Sequence, residues 1–216
     1  MESKPFIEMK SIEKIYPDGT VALRGVDFDI GKGEIVGLLG ENGAGKTTLM
    51  KILSGLLPPT GGEIHVDGKR VTFRNPSDAL GIGIGMVHQV FALVPPYTAV
   101  ENILLGQEAA GSLSFLDMET ARKRLADLAE ETGLQVPLDT PVELLPVGVQ
   151  QRVEILKVLY RGTDVLILDE PTSSLTLLEV DELFRFMHRL KEAGKAIVFI
   201  THKLKEVLEI SDRIVV

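Results

Sequence analysis

The clearest chemistry in the chain lies in Gly40-Glu41-Asn42-Gly43-Ala44-Gly45-Lys46-Thr47, which fits the spacing G-x-x-x-x-G-K-[ST]. Glycines at these positions let the backbone curl so that successive N–H groups converge on phosphate oxygens. A helix opening at the end of the loop adds its positive N-terminal end. Lys46 then reaches the β- and γ-phosphates of a nucleotide, the Thr47 hydroxyl is a Mg²⁺ ligand, and Thr48 follows at the helix start. A second chemical feature is Asp169-Glu170, at the end of the apolar run Leu166-Ile167-Leu168. A carboxylate there, beside a phosphate loop, holds Mg²⁺ directly or through water, and that role falls to Asp169. The adjacent Glu170 points toward the γ-phosphate, where it can orient or deprotonate a water.

Both features need a rigid frame, and the hydrophobic pattern supplies one. Glu34-Ile35-Val36-Gly37-Leu38-Leu39 is continuously apolar after its first residue, as in a strand covered on both faces, and it runs into the phosphate loop. Thr48, Leu49, Met50, Ile52 and Leu53 then follow a helical period. Asp164-Val165-Leu166-Ile167-Leu168 and Ala196-Ile197-Val198-Phe199-Ile200 repeat the buried-strand pattern, with a helix from Leu177 to Ala193 between them and Gly194 as its C-cap. That is a strand–helix–strand unit of the length a parallel crossover requires. Val26, Phe28 and Ile30 alternate with Asp27 and Asp29, as in a strand buried on one face, and Gly61 to Gly68 reads as turn, short strand and turn. Between these layers lie helices over Asp117 to Thr132, stopped by Gly133, and over Val147 to Tyr160, ending before Gly162. The expectation is an α/β core of residues 1–89 and 161–216 with a helical lobe of residues 90–160 inserted into it, all in one domain of 216 residues. The last residues, Ile214-Val215-Val216, read as part of a strand, as in a trimmed domain.

Composition narrows the function classes. Hydrophobic residues make up 44% and charged residues 25%, which suits a globular chain rather than a disordered or fibrous one. A net charge of −8 argues against a broad nucleic-acid footprint. Zero cysteines exclude disulfides, thiolate metal sites and a cysteine nucleophile. No apolar run approaches the roughly 18 residues that span a bilayer, and the opening MESKPFIEMK lacks the apolar core of a secretory signal. A cytosolic domain is the starting expectation.

The order of motifs resembles the ATP-binding subunits of ABC transporters over nearly the whole chain. Asp169-Glu170-Pro171-Thr172-Ser173 is similar to the Walker B and catalytic-glutamate segment, and Met86-Val87-His88-Gln89 to the strand leading into the Q-loop. Ile200-Thr201-His202 is similar to the switch segment, and Tyr16, before Pro17-Asp18-Gly19, sits where the family stacks an aromatic ring on adenine. The resemblance implies a P-loop NTPase core, with a RecA-like parallel sheet and an N-terminal antiparallel β region, plus an inserted helical subdomain. It implies Mg·ATP hydrolysis, with His202 on the γ-phosphate and Gln89 near the metal, linking that phosphate to the helical lobe. It also implies partners: transmembrane permease subunits, a second ATPase domain closing head-to-tail, and, indirectly, an extracytoplasmic solute-binding protein, with no nucleic acid. The location implied is peripheral, on the cytoplasmic membrane face. Pro95-Pro96-Tyr97-Thr98-Ala99-Val100-Glu101-Asn102 is the candidate contact with a permease loop. Within the family, Gly85 to Gln89, Leu145 to Ile155 and Thr201 to Val207 look most like importers of simple sugars and nucleosides, in the first of two fused ATPase halves.

Two departures stand out. Leu145-Pro146-Val147-Gly148-Val149-Gln150-Gln151-Arg152 replaces the usual L-S-G-G-Q signature, which in the family caps the ATP held by the opposite subunit. Pro146 has neither hydroxyl nor N–H to donate, whereas Gly148 still allows close backbone approach. Thr176 stands where the D-loop usually ends in Asp. His65 and His188 read as surface residues and His88 as structural. The alternatives are an ABC-type ATPase acting on ribosomes or DNA and a nucleotide-gated dimerisation module with little turnover. An adenylate-kinase-like phosphotransferase fits less well, because nothing reads as a second nucleotide pocket.

Overall fold

A computed structural model describes residues 5–106 and 118–216. Among the described residues, nine strands form two sheets. The first sheet is antiparallel, with order β2-β1-β4-β5: β1 is Ile7–Ile15, β2 Val21–Ile30, β4 Gly61–Val66 and β5 Lys69–Val71. The second is parallel, with order β6-β7-β8-β3-β9: β3 is Ile35–Leu39, β6 Ile84–Val87, β7 Val165–Asp169, β8 Ala196–Thr201 and β9 Arg213–Val215. Seven α-helices connect them: α1 Lys46–Leu53, α2 Pro76–Leu80, α3 Ala99–Leu104, α4 Met118–Thr132, α5 Val147–Tyr160, α6 Leu177–Glu192 and α7 Leu204–Ile210. This is the α/β architecture that the resemblance implies, with an antiparallel sheet beside a parallel one. Among the described residues, no helix is long and apolar enough to cross a membrane.

The continuously apolar strands are covered on both faces, which is why their pattern shows no alternation. Along β7, Val165 and Ile167 join a core that also contains Ile7, Phe28, Leu49 and Ile52 from the antiparallel sheet and α1. Leu166 and Leu168 join a second core, with Leu156 of α5, Phe184 of α6 and Val207 of α7. Along β8, Val198 and Ile200 point into the first core, Ile197 and Phe199 into the second. Phe199 meets Phe184 edge-to-face, with ring centroids 5.9 Å apart. The strand ends are therefore held from both sides, and the loops leaving β3, β7 and β8 inherit that rigidity.

Several boundaries lie where the sequence pattern puts them. α5 starts at Val147 and ends at Tyr160, and α6 ends at Glu192, with Gly194 in the left-handed region two residues later. α4 runs to Thr132 with Gly133 left-handed behind it, while its expected cap, Asp117, lies outside the described residues. Strand β2 extends back to Val21, five residues before the alternating segment, because Val21, Leu23 and Arg24 pair with β1. The helical stretch between the layers also contains α3, whose Thr98 and Glu101 close a capping box. His188 is exposed, as read from the sequence, whereas His65 is only partly exposed. On β4, its side chain is 17% exposed beside Glu63, and its Nδ1 is buried without a partner.

Candidate nucleotide site

The loop between β3 and α1 is shaped by two left-handed glycines, Gly43 at φ 86° and Gly45 at φ 93°. Gly45 is the N-cap of α1 and offers no side chain to the helix's first N–H groups, so these stay available to an external anion. The first α-helical bond runs from Leu49 N–H to Gly45 O at 2.9 Å. Gly40 starts the loop, where an added Cβ would lie 3.4 Å from Ala44 Cβ and 3.5 Å from Lys46 Cδ. The Lys46 ammonium donates to Gly40 O at 2.7 Å and to Glu41 O at 2.9 Å, which places a cation at the mouth of the loop.

Across the sheet, Asp169 ends β7 one strand from β3, because β8 separates them. The Thr47 hydroxyl donates to Asp169 Oδ1 at 3.2 Å, so the two expected metal ligands are in contact. Asp169 is only 6% exposed. Burial pushes its carboxyl above the usual aspartate value, the Thr47 hydrogen bond pulls it down, and neighbouring Glu170 raises it again. Gln89 lies two residues beyond β6, exposed, on the rim of the same cleft. A Thr hydroxyl, one carboxylate and a carboxamide form an all-oxygen set suited to Mg²⁺, which is typically held by one or two carboxylates plus phosphate oxygens. Among the described residues, no group of three or more His, Cys, Asp or Glu could hold a metal by itself.

Glu170 is a non-glycine residue at φ 50°, a conformation that costs about 1–2 kcal/mol and concentrates at functional sites. The strain has a geometric result. Glu170 Oε1 lies 3.0 Å from His202 Nδ1, joining the ends of β7 and β8, while Oε2 is buried without any partner. A buried carboxylate oxygen with no partner is costly unless something polar meets it. Glu170 lines a cleft of about 490 Å³ together with Gly43, Gly45, Lys46, Thr47 and His202. The cleft opens beside a second one of about 710 Å³ that holds Asp169, His88 and Lys51. The residues fit a bound Mg·nucleotide on three counts: the unpartnered Oε2, the side-chain-free glycine cradle and the oxygen ligand set.

Tyr16 borders both clefts, and its hydroxyl lies 3.3 Å from Thr48 Oγ1. Lys14, buried and donating to Pro58 O at 2.6 Å, sits 5.7 Å from the Tyr16 ring centroid. Asn42, Ala44 and Thr48 also line the first cleft. Gly148 is not with them. It lies in a separate cavity of about 310 Å³ between α5 and α6, where an added Cβ would overlap Glu179 Oε1. Pro146 is the N-cap of α5 and gives it no side-chain cap, and the Val149 and Gln150 N–H groups both bond Pro146 O at 2.9 Å. Thr176, by contrast, caps α6. Its hydroxyl donates to Glu179 Oε2 at 2.7 Å and accepts from Glu179 N–H at 3.4 Å.

Three participants escaped the sequence reading. Ser173 lines the main cleft, and Lys51 and His88 contribute to the field around Asp169. Lys51 follows Thr47 by one helical turn, a spacing that could have identified it. Behind His202, the Lys203 ammonium donates to Thr172 O at 3.2 Å and to Glu206 Oε1 at 2.9 Å, while the Thr172 hydroxyl donates to Glu206 Oε2 at 2.6 Å. Only the tertiary fold brings those residues together.

The chain is similar to several characterised sequences and structures. It is 50% identical over its full length to the nucleoside import ATP-binding protein NupA of Lactococcus lactis, covering 42% of that protein. It is 48% identical over 97% of its length to the ribose import ATP-binding protein RbsA 1 of Burkholderia thailandensis, covering 41% of that relative. The chain thus spans less than half the length of these relatives. Among solved structures, a bacterial ABC transporter cassette in dimeric form superposes with a TM-score of 0.82 at 30% identity, over 97% of this chain and 93% of the other. A family profile described as ABC transporter matches residues 23–173, so by sequence and by fold the chain belongs to the ABC transporter family.

Proposed function

We propose that this chain is the ATP-binding and hydrolysing motor of an ABC importer for a simple sugar or nucleoside. Glu170 carries the reading: a strained residue with one oxygen on His202 and the other buried and unpartnered, in the cleft that the phosphate loop also lines. The names of the relatives support the substrate class. In this reading the loop N–H groups and the α1 N-terminus bind the phosphates, and Lys46 exchanges its carbonyl partners for phosphate oxygens. Mg²⁺ held by Thr47, Asp169 and Gln89 would neutralise charge on the β- and γ-phosphates. Glu170 Oε2 accepts the hydrogen bond of the attacking water and takes its proton. His202, held at Nδ1 by Glu170 Oε1, presents its other ring nitrogen to the γ-phosphate. Tyr16 stacks on adenine, a contact worth about 1–3 kcal/mol.

The partners follow from the same reading. Two such domains close head-to-tail, as a homodimer or with a fused second half, and Gly148 faces the opposite nucleotide. Residues 90–160 then act as the lobe that moves through Gln89 on closure. Permease subunits hold the motor at the cytoplasmic membrane face, with residues 95–102 as their contact, and an extracytoplasmic binding protein delivers the solute. The test is Glu170→Gln, which keeps the shape and the His202 contact but cannot take a proton. ATP binding should stay within about threefold while turnover falls by about 10²–10⁴-fold, the usual contribution of a general base. Undiminished turnover would remove Glu170 from this role.

A second reading rests on Pro146, which begins α5 with neither side-chain cap nor N–H. A composite site completed by this segment then clamps nucleotide without hydrolysing it. Hydrolysis measured against chain concentration separates the two. A rate rising faster than linearly means two copies complete an active site, whereas ATP-dependent dimers without phosphate release mean a clamp.

A further inference from the structure

The left-handed turn at Glu170 must be held by something, since an unsupported residue at φ 50° would relax. Two backbone bonds flank it: Glu170 N–H to Ile200 O at 3.0 Å and Ser173 N–H to Glu170 O at 3.2 Å. A third contact comes from another element. Gln151, on the second turn of α5 and only 4% exposed, donates its side-chain N–H to Pro171 O at 2.7 Å. Pro171 is buried and immediately follows Glu170. The same face of α5 is fastened to α6 on both sides of this bond. Gly148 lies against Glu179 Oε1 one turn before it, and Arg152 pairs with Glu182 one residue after it. The helix that begins with the Pro146–Val149 segment is thus mounted on the turn carrying Glu170.

We propose that Gln151 is a positioning residue: through Pro171 it sets the Glu170 carboxylate and locks the signature helix to the hydrolytic turn. The inference rests on the assignment of Glu170 above, and it adds the route by which one nucleotide site of a dimer senses the other. The signature helix serves the opposite site, so a bond from that helix to this chain's own catalytic turn makes the two sites move together.

The test uses the full chain carrying Gln151→Leu, which removes the donor, with Gln151→Glu as a second, isosteric variant should the first fail to fold. Two readouts are needed. Amide hydrogen exchange across residues 168–176 requires no turnover, and it should accelerate in the variants while the β3 and β8 amides do not change. ATP turnover should fall about tenfold, the effect of one buried hydrogen bond expressed in the transition state, with KM and the affinity for a fluorescent ATP analogue within about twofold. A simple loss of packing would move affinity and global exchange alongside turnover. Unchanged exchange in residues 168–176 overturns the brace, whatever the turnover. Faster exchange with unchanged turnover overturns the positioning role. If wild-type turnover is no higher than that of Glu170→Gln, the catalytic assignment of Glu170 fails and takes the positioning role with it, while the exchange result still reports on the Gln151–Pro171 bond.

Discussion

Two glycines in one loop allow backbone strain and steric collision to be separated. Gly43 and Gly45 have nearly the same dihedral, φ 86° and 93°, so alanine at either position meets the same left-handed penalty, about 1–2 kcal/mol. Their surroundings differ. A Cβ on Gly43 has nothing within 4 Å, whereas one on Gly45 would meet Leu23 Cδ2 at 2.8 Å and Ala22 O at 2.9 Å. The leucine methyl can turn aside at some cost in a packed core, but the carbonyl is backbone, at the register shift of β2 between the paired residues Val21 and Leu23, and moves only with the chain on either side. Overpacking of this kind costs about 1–3 kcal/mol. Gly43→Ala should therefore lose about 1–2 kcal/mol and Gly45→Ala about 2–5 kcal/mol. Urea unfolding of both variants without nucleotide, followed by far-UV circular dichroism, measures the difference directly if the slopes agree. Equal losses, within about 0.5 kcal/mol, would mean that β2 does not press on the loop and that the collision argument is wrong.

Two further outcomes can be checked. Tyr97 is 43% exposed just before the Thr98 cap of α3, so Tyr97→Arg should leave ATPase activity of the isolated chain within about twofold while reconstituted transport falls about tenfold or more; normal transport would place the permease contact elsewhere. The Glu179 carboxyl is held below its ordinary value of 4.5, first by the Thr176 N–H and then by the Thr176 hydroxyl. Its contribution to stability is therefore present above pH 4.5 and lost as pH falls through the lower folded value, so the deficit of Glu179→Gln should be constant at neutral pH and close in acid; a deficit that grows in acid would contradict this sign.

Legibility in the sequence followed the range of the interactions. The phosphate loop, the buried strands and helices α5 and α6 were readable because each is specified by neighbours within one element: a glycine spacing, an unbroken apolar run, a 3.6-residue period. Strand β1 was not, although Ile7, Met9 and Ile12 are all fully or nearly fully buried. A bulge at Ser11, at φ 50° with its N–H on Asp27 Oδ1 at 2.6 Å, shifts the parity, so inward residues run 7, 9, 12 and 14 and alternation disappears. Helices α2 and α7, of 5 and 7 residues, are too short to show a period, and α7 leaves Leu204 and Leu208 exposed where a core-facing pattern would bury them. At the site, Lys46, Thr47, Asp169 and Glu170 were legible from motif spacing, but the positive φ of Glu170 and its bond to His202 depend on β7 and β8 lying side by side.

The two motif departures illustrate the same distinction, and the structure gives them unequal weight. Thr176 replaces an aspartate, yet a helix N-cap needs only a short side chain with an oxygen acceptor, and Thr supplies it. With Glu179 three residues on, the capping box closes on both sides, so α6 begins as firmly as an aspartate would make it begin. Pro146 has no such substitute. It too occupies an N-cap, but without an acceptor side chain, and among the described residues α5 has no side-chain cap. Its carbonyl takes the Val149 and Gln150 N–H groups, which leaves the amides of Val147 and Gly148 as the first-turn donors without an intrahelical partner. The Gly148 amide is fixed by what lies behind it, since Glu179 fills the space a Cβ would need. In the proposed head-to-tail dimer, any contact of this segment with the opposite nucleotide would be made by backbone held in place from α6. The departure at 176 matters to that task through Glu179, which joins the cap of α6 to the glycine of α5.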